Sequence, residues 1–173
     1  MHKFYKDAIE RYEMLDEMLE EAGISDVEII IIGGEAGRTL LGEDKYRSTI
    51  DIDFISEQDL QSETIKIITN VGLELVGVSE TPPPEDMQKK YPVSFKNLTV
   101  YYPSIEDFAL TKLMSVRGKD EEDLINYPIL DGCNLKEIRE RIEEYKSYIV
   151  SDKNPDYNFK KLDEYIEKRR LIE

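Results

Sequence analysis

Six residues, Val27-Glu28-Ile29-Ile30-Ile31-Ile32, limit what this chain can fold into more than any others. Five of the six are β-branched, and such side chains lose rotamer freedom in a helix but pack well on a pleated surface. The run is too short for a helix and carries no polar face, so it reads as a buried strand. Gly33-Gly34 breaks it, and Glu35 to Leu41 then reads as a short helix stopped at Gly42.

The periodicity on either side fills in the rest. Phe4/Tyr5, Ala8/Ile9, Tyr12, Leu15, Met18/Leu19 and Ala22 recur at three-and-four spacing, which predicts an amphipathic helix ended by Gly23. Ser48 to Ile55 alternates, with Ile50, Ile52 and Phe54 on one side and Thr49, Asp51 and Asp53 on the other, which predicts a strand. Ser56 with Asp59 three residues on marks a helix start, and a helix is expected from Leu60 to Val71. Leu73 to Val78 reads as strand, Thr81-Pro82-Pro83-Pro84 as an extended loop, and Val93–Phe95 with Leu98–Tyr102 as a hairpin. Four helices follow: one opened by Ser104 and reaching Arg117, one from Asp120 to Tyr127, one capped by Asn134 and reaching Val150, and one marked by Phe159, Leu162 and Ile166. The order predicts an α+β fold, a small mixed β-sheet flanked by helices, with an all-helical C-terminal part. At 173 residues, against roughly 150 per domain, one domain over 1–130 is expected, with a helical extension over 131–173 packed on it.

Charge narrows the partners. With 23 basic and 38 acidic residues the net charge is -15, the opposite of the basic face that grips duplex DNA through its phosphates. A small substrate brought with a metal, or a cationic partner, fits this balance better. The longest purely apolar run is Ile29–Ile32, far below the ~20 residues a membrane span needs, and the N-terminus runs directly into a charged helical pattern. The cytoplasm is the expected location. A lone cysteine, Cys133, excludes an internal disulfide, and one histidine, His2, excludes a thiolate–imidazole zinc cluster.

Two short patterns carry chemistry. Residues two apart in a strand project to one face about 7 Å apart, so Asp51 and Asp53 are expected to point together, a pair that a divalent cation would bridge. A diglycine after a buried strand lets backbone N–H groups face a ligand without a Cβ in the way, and a helix N-terminus there offers donors to a phosphate. A phosphate cradle on one strand and a carboxylate pair on the next is what phosphoryl or nucleotidyl transfer requires.

The string Gly33-Gly34-Glu35-Ala36, then Gly42, then Arg47-Ser48-Thr49-Ile50-Asp51-Ile52-Asp53, resembles the DNA polymerase β-like nucleotidyltransferase superfamily. Within it the sequence is most similar to small bacterial and archaeal members related to the AbiEii-type toxins and the DUF6036 group. Downstream, Glu106-Asp107-Phe108, Lys112-Leu113, Arg117, Asp120 and Asp123 are similar to that group's second motif. The resemblance implies a transferase that moves a nucleoside monophosphate from ATP or another NTP to a hydroxyl of RNA, protein or a small molecule. Two Mg²⁺ ions, or Mn²⁺ in their place, would take part. Asp51 and Asp53 would bind the metal. Gly33 and Gly34 would hold the triphosphate, with Arg38, Ser48 and Thr49 also on the nucleotide. Lys112 would reach the phosphates or the base, oriented by Asp120 and Asp123. A cognate toxin or antitoxin protein is an expected partner.

The match departs from the superfamily in one respect. A third metal carboxylate is usual on a later strand, and Leu98-Thr99-Val100-Tyr101-Tyr102 has none. Glu74, in Leu73-Glu74-Leu75, is the one strand residue that can replace it as catalytic base; its other reading is the outward position of an edge strand. Without a third carboxylate, the alternative function is a catalytically silent nucleotidyltransferase-fold module, antitoxin-like, acting through a partner protein. Arg47 has two readings as well, a tie from its loop to an acidic neighbour or a guanidinium that neutralises a triphosphate.

Overall fold

The computed structural model describes residues 4–47, 50–77, 81–147, 150 and 153–172. The chain forms two compact units, one of residues 1–77 with 84–104 and the other of residues 78–83 with 105–173. Position 130, expected as a boundary, falls inside the second unit in the 3₁₀ turn Leu130–Gly132.

The first unit is built on a five-stranded mixed sheet of β1 (Val27–Ile32), β2 (Ile52–Ile55), β3 (Leu73–Leu75), β4 (Lys90–Ser94) and β5 (Leu98–Tyr102), in the order β3-β2-β1-β5-β4. β1 runs parallel to β5 and antiparallel to β2, β2 is parallel to β3, and β4 with β5 is the expected antiparallel hairpin. β1 is central, and all four of its isoleucines are buried, each contributing about 1.5–3 kcal/mol. Three helices, α1 (Lys6–Glu21), α2 (Gly33–Leu41) and α3 (Ser62–Asn70), complete the unit.

The two faces of the sheet differ. One carries Ile29, Ile31, Phe54, Leu73, Val100 and Tyr102, all fully buried. The α1 stripe Ala8, Tyr12, Leu15 and Leu19 belongs to this side, where the Tyr12 and Tyr102 hydroxyls hydrogen-bond at 2.9 Å. Pairing them matters, because an unpaired buried hydroxyl costs about 1–3 kcal/mol. The opposite face carries a smaller cluster of Ile30, Ile32, Ile55 and Met87, with Val76 and Tyr101 packed against it.

Three local expectations are corrected. β2 begins at Ile52, not Ser48, and Ile50 is 82% exposed rather than part of the core. The reason is the length of β1. Its register with β2 runs from Ile30↔Ile55 to Ile32↔Asp53, and β1 turns into α2 at Gly33, so Ile50 and Asp51 lie beyond its last pair, while Ile52 is kept in the sheet by Leu73 of β3. Ser56 does not cap α3, which starts at Ser62. Its hydroxyl instead donates to the Glu28 carbonyl and accepts from the Gln58 N–H, fastening the exit of β2.

The second unit is helical: α4 (Ile105–Leu113), α5 (Gly118–Asn126), α6 (Leu135–Tyr145) and α7 (Leu162–Ile172). Asn134 caps α6 as expected, its side chain accepting from the Glu137 N–H at 3.2 Å. α4 stops at Leu113 rather than Arg117 because the next backbone groups bond elsewhere. Arg117 N–H donates to Ser115 Oγ, and the Ser115 carbonyl accepts from Asn158 N–H. α6 ends at Tyr145, short of Val150. Arg169 on α7 ties the unit together with two bonds to Asp131 and one to the Ile125 carbonyl. Among the described residues no helix is long and apolar enough to cross a membrane.

Candidate active site

β1 delivers its last residue, Ile32, directly opposite Asp53 of β2. The chain then turns at Gly33, whose φ of +69° is left-handed, and α2 begins. A Cβ at position 33 would lie 2.6 Å from Asp53 Oδ2. Glycine suits this position twice, for the left-handed backbone angle and because any Cβ would have to displace the Asp53 carboxylate. The diglycine and the aspartate strand, which the sequence left 17 residues apart at Gly34 and Asp51, meet at one corner of the sheet.

Asp53 is half-buried and Asp51 exposed. Asp53 also pairs with Glu74 across the parallel β2–β3 ladder. Register partners share a face and neighbouring strands lie about 4.8 Å apart, so Ile32, Asp53 and Glu74 form one row with two carboxylates side by side. Glu74 is exposed on the edge strand. Among the described residues no group of three or more His, Cys, Asp or Glu is placed to hold a metal ion by itself. The hard oxygens of Asp51 and Asp53 suit Mg²⁺, which is commonly held by one or two carboxylates plus substrate phosphates rather than by a closed protein cage. The residues present fit that ion.

The loop that returns from α2 to β2 is anchored at Tyr46, which is buried. A Cβ at Gly37 would run into its ring. The Arg47 guanidinium lies 5.6 Å from the Tyr46 ring centroid. Ser48 and Thr49 lie outside the described residues.

Arg38 is placed differently from the expectation that it binds nucleotide. It is buried, and its Nε and Nη2 donate to Glu35 at 2.9 and 2.6 Å. The same Nη2 donates to both Asp7 oxygens at 3.1 Å, and the guanidinium stacks 4.1 Å from the Tyr5 ring centroid. Glu35 is 1% exposed, and burial raises its pKa against the pull of Arg38. Burial likewise works against Asp7, but the hydrogen bonds and charge of Arg38 hold its carboxyl below the usual value. This cluster clamps the first turns of α1 and α2, so Arg38 serves the turn behind Gly33 and Gly34. The Glu35–Arg38 spacing was visible in the sequence, whereas Asp7, 31 residues away, left no signal.

In the second unit Lys112 does meet the two carboxylates expected to orient it. Its ammonium donates to Asp123 at 2.9 Å and to Asp120 at 3.3 Å. Ser115 Oγ donates to Asp120 at 2.6 Å, and Asn158 Nδ2 donates to the Lys112 and Arg117 carbonyls at 3.1 Å. Asn158 was missed, because its partners lie 41 and 46 residues away in sequence. Lys112 is 4% exposed.

A mixed sheet whose central strand ends in a diglycine that opens a helix, with an aspartate strand beside it, is the core of a nucleotidyltransferase-like fold. The chain belongs to the family described as a nucleotidyltransferase of unknown function (DUF6036), whose model matches residues 10–170. No curated protein and no solved structure gives a significant match.

Proposed function

We propose that the first unit binds an NTP with magnesium at the corner formed by Gly33, Gly34, Asp51 and Asp53 and transfers the nucleoside monophosphate to a hydroxyl. The observation that carries this reading is the proximity of the two motifs: a Cβ at Gly33 would lie 2.6 Å from Asp53 Oδ2. Backbone N–H groups at the start of α2 would hold phosphate oxygens, and Asp51 and Asp53 would hold the ion that neutralises them. Magnesium, when bound, supplies charge stabilisation at the transferring phosphorus. Glu74, in the same row as Asp53, would take the proton of the acceptor hydroxyl. That oxygen bonds to the α-phosphorus, the α–β anhydride bond breaks, and pyrophosphate leaves with the electron pair. Lys112 belongs to the second unit, where its ammonium serves Asp120 and Asp123.

A second reading has its own observation. Among the described residues no three-carboxylate metal group is assembled, which favours a silent module acting through a toxin or antitoxin partner. One experiment separates the two. The Asp51→Asn, Asp53→Asn double variant should stay folded and lose magnesium-dependent NTP binding, and Glu74→Gln should bind NTP but stop label transfer. A sharply lowered melting temperature in the double variant would mean that the pair is structural.

A further inference from the structure

The second unit holds a cavity of about 420 Å³ between α6 and the chain that leads into α7. Arg139, Ile142 and Lys146 line it from α6 and its C-cap. Phe159, Lys160 and Leu162 line it from the 3₁₀ turn Asn158–Lys161 and the start of α7. Ile142, Phe159 and Leu162 are buried and give the cavity an apolar back wall. Two ammonium groups converge on one ring: Lys146 Nζ lies 5.5 Å and Lys160 Nζ 6.0 Å from the Phe159 centroid. Tyr157 stacks on that ring and holds it. The opposite charges stand further out. Arg139 bonds Asp163 and Lys146 bonds Glu143, both at 2.7 Å, yet these carboxylates are 84% and 71% exposed against 48% and 23% for their cations. Three cations against two carboxylates leave the cavity positive in a chain whose net charge is -15.

We propose that this cavity binds a small phosphomonoester, of sugar-phosphate or mononucleotide size, with its dianionic phosphate between Lys146 and Lys160. The site lies in the second unit, goes beyond the nucleotidyltransferase reading and does not rest on it. Two ammonium groups beside one apolar ring repel each other. A phosphate between them replaces that repulsion with charge-assisted hydrogen bonds, and its several oxygens can serve Arg139 as well. Glu143 and Asp163 compete only weakly, because exposed ion pairs exchange with solvent and with stronger anions. The volume falls in the range of small-molecule sites, roughly 300–1,000 Å³, which leaves room for an organic body against the back wall. Charge also selects the size of the ligand. A long polyanion such as RNA would have to pass the exposed Glu143 and Asp163 and an acidic chain, whereas a compact phosphate reaches the cations alone. A carboxylate carries one charge and cannot satisfy both lysines.

The test is a titration of ribose 5-phosphate into the full chain, followed by amide shifts in a heteronuclear spectrum. Shifts should centre on residues 139–146 and 159–163 and need no magnesium. They should persist in the Asp51→Asn, Asp53→Asn double variant, which keeps this site apart from the nucleotide corner. Lys146→Gln with Lys160→Gln should weaken binding at these amides at least about tenfold. Lys168→Gln, which removes an exposed cation of α7 that does not line the cavity, should leave it unchanged. Glu143→Gln should tighten binding severalfold, because a competing carboxylate is gone, and it tests the same charge balance without touching the lysines. Four results would each overturn the proposal: no shifts at these residues, binding indifferent to the lysine pair and to Glu143→Gln, ribose or acetate matching ribose 5-phosphate, or displacement of ribose 5-phosphate by single-stranded RNA at lower concentration than by AMP.

Discussion

Replacing Gly33 by alanine probes the closest contact in the candidate site, and Gly23 provides an internal control. Both glycines are left-handed, at φ +69° and +70°. A Cβ at Gly23 meets nothing within 4 Å, whereas at Gly33 it lies 2.6 Å from Asp53 Oδ2. The backbone penalty is common to both, about 1–2 kcal/mol. Gly33→Ala must in addition push the Asp53 carboxylate off its rotamer, about 0.5–1.5 kcal/mol more. Urea unfolding should therefore show Gly33→Ala as the more damaging by that margin. In an Asp53→Ala background the excess should vanish, because the obstructing carboxylate is gone; this double-mutant cycle isolates the contact. NTP affinity with magnesium should fall at least about tenfold in Gly33→Ala and stay unchanged in Gly23→Ala. Equal destabilisation by the two substitutions, with no coupling between positions 33 and 53, would refute the reasoning.

The buried charges give further expectations. Lys112→Ala leaves Asp120 and Asp123 buried without their cation, so it should cost about 3–5 kcal/mol, and adding Asp120→Asn and Asp123→Asn should recover much of the loss by thermal melting. The ammonium is buried between these two carboxylates, so the lysine carries stability as well as orientation. Arg38→Ala should be comparably harmful because it strands Glu35, whereas Arg38→Met with Glu35→Gln should melt closer to wild type. Glu121 accepts from Tyr165 at 2.6 Å, and that bond, outweighing burial and aided by Lys161, lowers its pKa below 4.5. An acid with a lowered folded pKa stabilises above the unfolded value and loses that stabilisation as pH falls through the folded one. Melting temperature should thus drop with acid below about pH 4.5 in wild type, and Tyr165→Phe should reduce this particular dependence.

What the sequence made legible was local. The β-branched run fixed the central strand, because neither a polar face nor a helical period competes with it. The diglycine marked the turn that Gly33 makes. Lys112, Asp120 and Asp123 could be grouped in advance because a turn of helix and a short connection bring positions 8 and 11 residues apart together. What stayed hidden depends on pairing across the fold. Alternation at Ile50 and Asp51 looked like strand, yet β1 ends before it can offer them a neighbour. Arg38 looked available for a phosphate, yet Asp7 on another helix holds it. The adjacency of Glu74 and Asp53 follows from a parallel register, which no spacing along the chain encodes.

The central claim is that nucleotide and metal meet at the corner between β1, α2 and β2. Mn²⁺ used in place of magnesium broadens amide resonances close to it, so the direct measurement is a heteronuclear spectrum of the full chain with an NTP, with and without Mn²⁺. The account predicts that broadening centres on Gly33, Gly34 and Asp53, requires the NTP, and disappears in Asp53→Asn. Broadening centred instead on the exposed acidic side of α1, at Glu10, Glu13 and Glu17, and indifferent to NTP and to Asp53→Asn, would contradict it.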